Sequence, residues 1–170
     1  MKKRLIEIFT DEEDSFATGY LLFEDKKKLF INVLDDQGKF DGYLLIDKKL
    51  ISSVEEATTY LKKLEKYQSF WGKQSLGISD NEIYKKRVDF FELIDYAHKT
   101  NKMISLSTST DYYDTTCGFI QYIGEDDFNI KAIDQNTGKN YDDFTLNYKD
   151  IKILEIDSID LLLLEYAYKN

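Results

Sequence analysis

Three groups of side chains in this chain of 170 residues could do chemistry by type and spacing. The first is a set of lysines in two turns, Lys26-Lys27-Lys28 and Lys48-Lys49. Clustered ammonium groups are point charges that contact phosphate or carboxylate. The second is an aromatic group, Tyr67, Phe70 and Trp71, of the residue types that dominate binding hot spots. The third is the single histidine, His98, and the single cysteine, Cys117. One His and one Cys cannot build a Cys–His zinc set, and a Ser–His–Asp triad would rest on His98 alone. His98 falls at the end of a helical stretch, where a cation suits the dipole, and Cys117 reads as a small buried apolar residue beside Gly118. Asp35-Asp36-Gln37-Gly38 and Asp134-Gln135-Asn136-Thr137-Gly138 lack the alternating ligands and later bidentate Glu of a calcium loop, and turn chemistry accounts for them. Neither a G-x-x-x-x-G-K-[ST] nor a G-x-G-x-x-G motif occurs. The sequence therefore predicts no catalytic residue, no metal site, no cofactor and no enzymatic activity.

The elements that must position these residues come from the patterning. The chain is 42% hydrophobic and 15% aromatic, enough to build a core, and its 13 Tyr and 11 Phe favour strands. Its N-terminus, Met1-Lys2-Lys3-Arg4-Leu5-Ile6-Glu7, has no apolar run after the basic start, so no signal peptide is expected. The longest apolar run, Leu161–Leu164, is too short for a membrane span. With no cysteine pair for a disulfide, the expected location is cytoplasmic. Net charge is −9, divided as −2 over residues 1–80 and −7 over 81–170, which opposes general nucleic-acid binding.

The strongest signal is an internal repeat. Gly19, Leu29, Ile31 and Leu34-Asp35 match Gly118, Phe128, Ile130 and Ile133-Asp134. Gly38-Lys39, Asp41 and Tyr43 match Gly138-Lys139, Asp142 and Phe144. Downstream, Ile51, Val54, Glu55, Leu61, Leu64 and Glu65 match Ile151, Leu154, Glu155, Leu161, Leu164 and Glu165; upstream, Leu5, Ile8 and Thr10 match Met103, Leu106 and Thr108. Alternation and turn residues predict strands near 3–10, 17–24, 29–35, 41–46 and 51–55 in copy one, and 102–109, 116–123, 128–134, 142–147 and 151–156 in copy two. A trailing helix is expected at 56–67 and again at 157–168. Ser79-Asp80-Asn81-Glu82 has the form of a capping box, and an apolar face beginning at Ile83 predicts a helix over 80–99. The domain organisation is thus 1–67 for copy one, 68–79 as linker, and 80–170 for helix, copy two and a final helix.

A helix followed by five short bent strands joined by hairpins, with Gly19-Tyr20-Leu21 and Gly118-Phe119-Ile120 opening the second strands, resembles the Sm-like small barrel. The whole chain also resembles two-copy proteins of low-GC Gram-positive bacteria that carry a turn like Gly38-Lys39-Phe40-Asp41-Gly42-Tyr43. The resemblance implies an all-β fold with flanking helices: two tandem five-stranded bent-sheet barrels of Sm-like type. It implies no activity. Sm-like proteins that bind RNA carry an Asp-x-Met-Asn-like stretch and an Arg-Gly where this chain has Asp25-Lys26-Lys27-Lys28 and Asp47-Lys48-Lys49-Leu50, or Gly124-Glu125-Asp126-Asp127 and Tyr148-Lys149-Asp150.

In such a unit the two turns share one face, cationic in copy one and anionic in copy two. Solvated hairpin tips, opposite faces that steer a partner or a second molecule, and weak single-stranded RNA binding with Tyr20 or Phe23 as stacking platforms are three competing readings. Tyr67, Phe70 and Trp71 read either as a seam between copies or as an exposed partner anchor. The expected function is a non-enzymatic binding or adaptor module with a protein partner or self-association into a small oligomer; the alternative is an RNA-binding regulator.

Overall fold

The computed structural model describes residues 4–11, 15–71, 81–109 and 114–170. Contacts divide the chain into two units, residues 1–87 and 88–170.

In the first unit, β1 (Leu5–Phe9), β2 (Ser15–Glu24), β3 (Lys28–Leu34), β4 (Phe40–Asp47) and β5 (Ser53–Glu56) form an antiparallel sheet in the order β5-β1-β2-β3-β4. A 3-10 turn, Lys48–Leu50, precedes β5, and α1 (Thr59–Trp71) follows it. The turns are held by Asx geometry, in which a carboxylate takes up amides that the ladder cannot reach. Asp25 Oδ1 accepts from the Lys27 and Lys28 amides at 2.7 and 2.8 Å, and Asp35 Oδ1 from those of Gln37 and Lys39 at 2.9 and 2.8 Å. Thr58 caps α1, its Oγ1 accepting from the Leu61 amide at 3.1 Å. Leu61 and Leu64 then fall on one side of the helix and pack with Leu5 and Leu34.

The second unit repeats the plan behind a helix. α2 (Phe90–Thr100) buries Phe90, Leu93, Ile94 and Ala97 and packs on the sheet at its second strand. The sheet comprises β6 (Met103–Ser107), β7 (Thr116–Ile123), β8 (Asp127–Ile133), β9 (Asn140–Asn147) and β10 (Ile153–Ile156), in the order β10-β6-β7-β8-β9. A 3-10 turn, Tyr148–Asp150, precedes β10, and α3 (Ile159–Lys169) follows it, capped by Ser158.

The ladders repeat in register, with one correction to the sequence match: Ile31 faces Leu44 as Ile130 faces Phe144, so Phe144 and Asp142 correspond to Leu44 and Gly42, not to Tyr43 and Asp41. Leu5 faces Tyr20 as Met103 faces Phe119, and Ile6 faces Gly19 as Ile104 faces Gly118. Both second strands slip register at the same place, between Leu21 and Phe23 and between Ile120 and Tyr122. Gly19 and Gly118 stand inside these strands, where the next strand passes too close for a side chain. A Cβ would sit 2.2 Å from the Asn32 carbonyl oxygen in one copy and 2.1 Å from that of Lys131 in the other. The core under each trailing helix is built from matching positions: Leu5, Leu34, Leu61 and Leu64 with Tyr20 in one, Met103, Ile133, Leu161 and Leu164 with Phe119 in the other.

Three further expectations need correction. First, no ladder among the described residues joins β4 to β5 or β9 to β10, so neither five-stranded sheet closes into a barrel. β5 and β10 are four residues long, and they are taken up by β1 and β6. Second, the helix expected over 80–99 begins only at Phe90. Ser79 and Asp80 lie outside the described residues; Asn81 caps a 3-10 turn, Glu82–Lys85, and the backbone is extended at Lys86 and Asp89. The cause is Tyr84, whose ring stacks on Tyr43 at 3.7 Å and lies buried against the first sheet. Holding Tyr84 there keeps its turn with copy one and leaves Asp89 and Glu92 to form the capping box that starts α2. Third, α1 extends through Gln68–Trp71, residues assigned to the linker. Gln68 Oε1 accepts from the Tyr20 hydroxyl at 2.6 Å, and Trp71 Nε1 donates to the Gln37 carbonyl at 2.8 Å, so tertiary bonds carry the helix on.

Candidate functional site

The two lysine turns meet at one end of the first sheet, where the Lys48 amide donates to the Lys27 carbonyl at 2.7 Å. Lys26, Lys27 and Lys49 are exposed and make no ion pair among the described residues; Lys28 and Lys48 are half-buried. Of these lysines Lys48 is neutralised, and two arginines pair with acids of the same unit. Lys48 Nζ lies 2.6 Å from Glu24, Arg87 pairs with Asp25 at 2.8 Å, and Arg4 donates to Glu56 at 2.9 Å. The amides of Lys27 and Lys28, together with Arg87, hold the Asp25 carboxyl below its usual range. The expected stacking platforms are engaged as well. The Arg87 guanidinium covers Phe23 at 5.2 Å, and Tyr20 packs on Phe40 while bonding Gln68; burial pushes its hydroxyl up.

In the second unit the Tyr148 amide bonds the Asp126 carbonyl at 3.2 Å, so Glu125 and Asp126 occupy the corresponding end, both exposed. Tyr148 supports this turn from below, packed on Phe128 and Phe91.

The aromatic trio lies on the last turns of α1. Phe70 is 81% exposed and Tyr67 42%. Trp71 is half-buried, with Lys39 Nζ 4.2 Å above its ring. On the same helix Tyr60 donates to Asp36 at 2.8 Å, and burial with this carboxylate raises its hydroxyl to about 12.

His98 is exposed in the last turn of α2, and Asn101 in left-handed conformation closes that helix onto the Ala97 and His98 carbonyls. Cys117 is buried under α3, and burial pushes its thiol up, away from nucleophilic character. The acidic turns do local work: Asp134 Oδ1 accepts from the Asn136 and Thr137 amides, as Asp35 does in copy one. Among the described residues no three His, Cys, Asp or Glu side chains gather around a metal position.

One surface escaped the sequence reading. Ile159, Leu162, Leu163 and Tyr166 stand exposed on α3, and a groove of about 750 Å³ runs between that helix, β10 and the 135–138 turn. By sequence, Leu161 and Leu164 belong to the repeat and the run is too short for a membrane span, but Leu162 and Leu163 receive no role. Setting them against Lys62-Lys63 at the same repeat positions reveals the surface.

These features define a predominantly antiparallel β protein with flanking helices, built from two repeated units. No family model, no curated protein and no solved structure matches the chain. Among the described residues no helix is long and apolar enough to cross a membrane.

Proposed function

We propose that this chain is a tandem of Sm-like units acting in the cytoplasm as a protein-binding adaptor that catalyses no reaction. The strand order, with the fifth strand returning to the first, and a helix ahead of the second copy support the Sm-like reading. The observation that carries the adaptor reading is the display of large apolar side chains on the outer faces of both trailing helices: Phe70 on α1, and Leu163 and Tyr166 on α3. Grouped exposure of this kind costs solvation in a free protein and is recovered when a partner covers it. Cross-linking the full chain in its own cells, followed by mass spectrometry, tests the reading. A discrete protein cross-linked through α1 or α3 is the expected outcome, and cross-links within the chain alone reject it.

A second reading, single-stranded RNA binding at the lysine turns, is favoured by one observation: the Lys27–Lys48 backbone bond brings the two lysine-bearing turns together. Three unpaired lysines supply few phosphate contacts, so binding would be weak and steeply salt-dependent. Lys27→Glu with Lys48→Glu abolishes such binding; failure of the unaltered chain to retain an oligonucleotide in low salt removes the reading.

A further inference from the structure

The two trailing helices are the same element with different outer faces. Leu61 and Leu64 of α1 and Leu161 and Leu164 of α3 turn inward onto matching strands. The positions that turn outward are Thr59, Lys62, Lys63 and Lys66 in α1, and Ile159, Leu162, Leu163 and Tyr166 in α3. The α3 residues are 46, 48, 59 and 69% exposed. They follow at i, i+3, i+4 and i+7, one stripe along an 11-residue helix. Packing does not demand this stripe, because α1 packs in the same way with lysines there.

Leu163 also borders the groove beside α3, whose lining includes Cys117, Ile153 and Leu161 with the carboxylates of Glu155 and Asp160. A smaller groove of about 590 Å³, sharing Thr115, Cys117, Gln135 and Asn136, adds Asp114 and Asp134. Among the described residues neither groove has a Lys, Arg or His in its lining. The charge of the whole unit points the same way. Residues 88–170 hold 16 acidic and 7 basic side chains, whereas residues 1–87 hold 16 of each, so the entire net charge of −9 belongs to the second unit.

This charge selects the occupant. A second copy docking through this same face would bring the acidic surface against its like, and a stripe on so short a helix falls below the roughly 800 Å² per partner of a stable dimer. Anionic lipid is repelled for the same reason. A basic segment with apolar anchors satisfies both features, with its charge steering it in and its apolar side chains covering the leucines. We propose that α3 and the groove beside it dock a basic, apolar-anchored peptide segment of a partner protein. Leu162, Leu163 and Tyr166 take the apolar side chains, and Asp160 faces the Lys or Arg side chains. This rests on the adaptor reading and gives it a site and a partner chemistry.

The test is selection of a displayed library of random twelve-residue peptides on the full chain, with enriched peptides then synthesised and titrated by fluorescence anisotropy. The expected peptides are net positive with two or more large apolar residues, and their affinity falls as salt rises. Leu162→Lys with Leu163→Lys copies Lys62-Lys63 of α1 and so preserves the fold, which circular dichroism checks; it lowers affinity at least tenfold. Asp160→Asn lowers it several-fold. Enrichment of neutral or acidic peptides, no enrichment, or unchanged affinity in the double variant overturns the proposal. So does light scattering that shows a dimer which the double variant turns into a monomer, or retention of the chain on anionic vesicles. If the double variant keeps its cross-linked partner in cells, this site falls and the adaptor reading stands. If basic peptides bind through α3 but cells yield no partner, the adaptor reading alone falls.

Discussion

The two copies share the backbone constraints that shape the unit and differ sharply in charge at a hairpin tip and on a helix face. Gly19 and Gly118 admit the next strand at matching places, and Gly38 and Gly138 both adopt positive φ, 77° and 66°, in the same turn. Ala57 and Asp157 both enter the trailing helix with left-handed backbone, φ 58° and 62°. Against that constancy, Lys26-Lys27-Lys28 stands where the second copy has Glu125-Asp126-Asp127, and Lys62-Lys63 where it has Leu162-Leu163. The lesson is that hairpin tips and outer helix faces are not needed to fold this unit. Their divergence is room for function, while the shared glycines and inward leucines are the cost of the fold itself.

The sharpest way to break the comparison is at the close-approach glycines. Gly19→Ala and Gly118→Ala each force a Cβ into a carbonyl oxygen of the neighbouring strand, so each should lose about 3 kcal/mol or more in urea unfolding. A loss at one site only would mean that the two sheets do not share their constraint. Next come the inward leucines. Leu61→Ala and Leu161→Ala each open a cavity in matching cores and should each cost about 3 kcal/mol, read as a shift in denaturation midpoint.

Smaller effects sharpen the comparison. Ala57→Gly relieves a left-handed alanine and should stabilise by about 1 kcal/mol. Asp157→Gly relieves the same backbone but removes the 2.5 Å bond to Lys102, so it should gain less or lose; equal gains would show that the Lys102 pair contributes nothing. Acid unfolding separates the hairpin tips. The folded-state pKa of Asp25 lies below its ordinary 3.8, so its contribution is complete above that value and is lost as pH falls through the lower folded value. Asp25→Asn should remove this acid sensitivity at a cost below about 1 kcal/mol near neutral pH, because Arg87 is largely exposed. The second copy has Gly124 at that place and no carboxylate there to titrate. A melting-temperature series across pH 2–7 reads both. Smallest of all, Cys117→Thr copies the buried Thr18 of copy one and should leave stability nearly unchanged.

Much of the fold was legible in the residues. Strands, hairpin turns and trailing helices follow from period-two alternation, Asx and glycine turns and paired leucines, which are signals carried by neighbours in the chain. The repeat made each signal count twice. The misreadings share one cause, contact between residues far apart in sequence. Tyr84 leaves a helical pattern because Tyr43 offers it a ring to stack on, and Gln68 and Trp71 join α1 because Tyr20 and Gln37 supply hydrogen-bond partners. The lysine cluster was legible in the chain, whereas the pairing of Lys48 with Glu24 and of Arg87 with Asp25 joins residues 24 and 62 positions apart and shows only in the fold.

The sequence by itself determined two copies of one five-stranded antiparallel unit with a helix behind it, because hydrophobic period, turn residues and close-packing glycines act over a few residues. Only the tertiary structure decided where helices begin and end, that the sheets stay open rather than closing into barrels, which lysines are neutralised, and that the leucines of α3 lie exposed beside an acidic groove. Those outcomes depend on through-space distances between distant residues, and no local pattern encodes them.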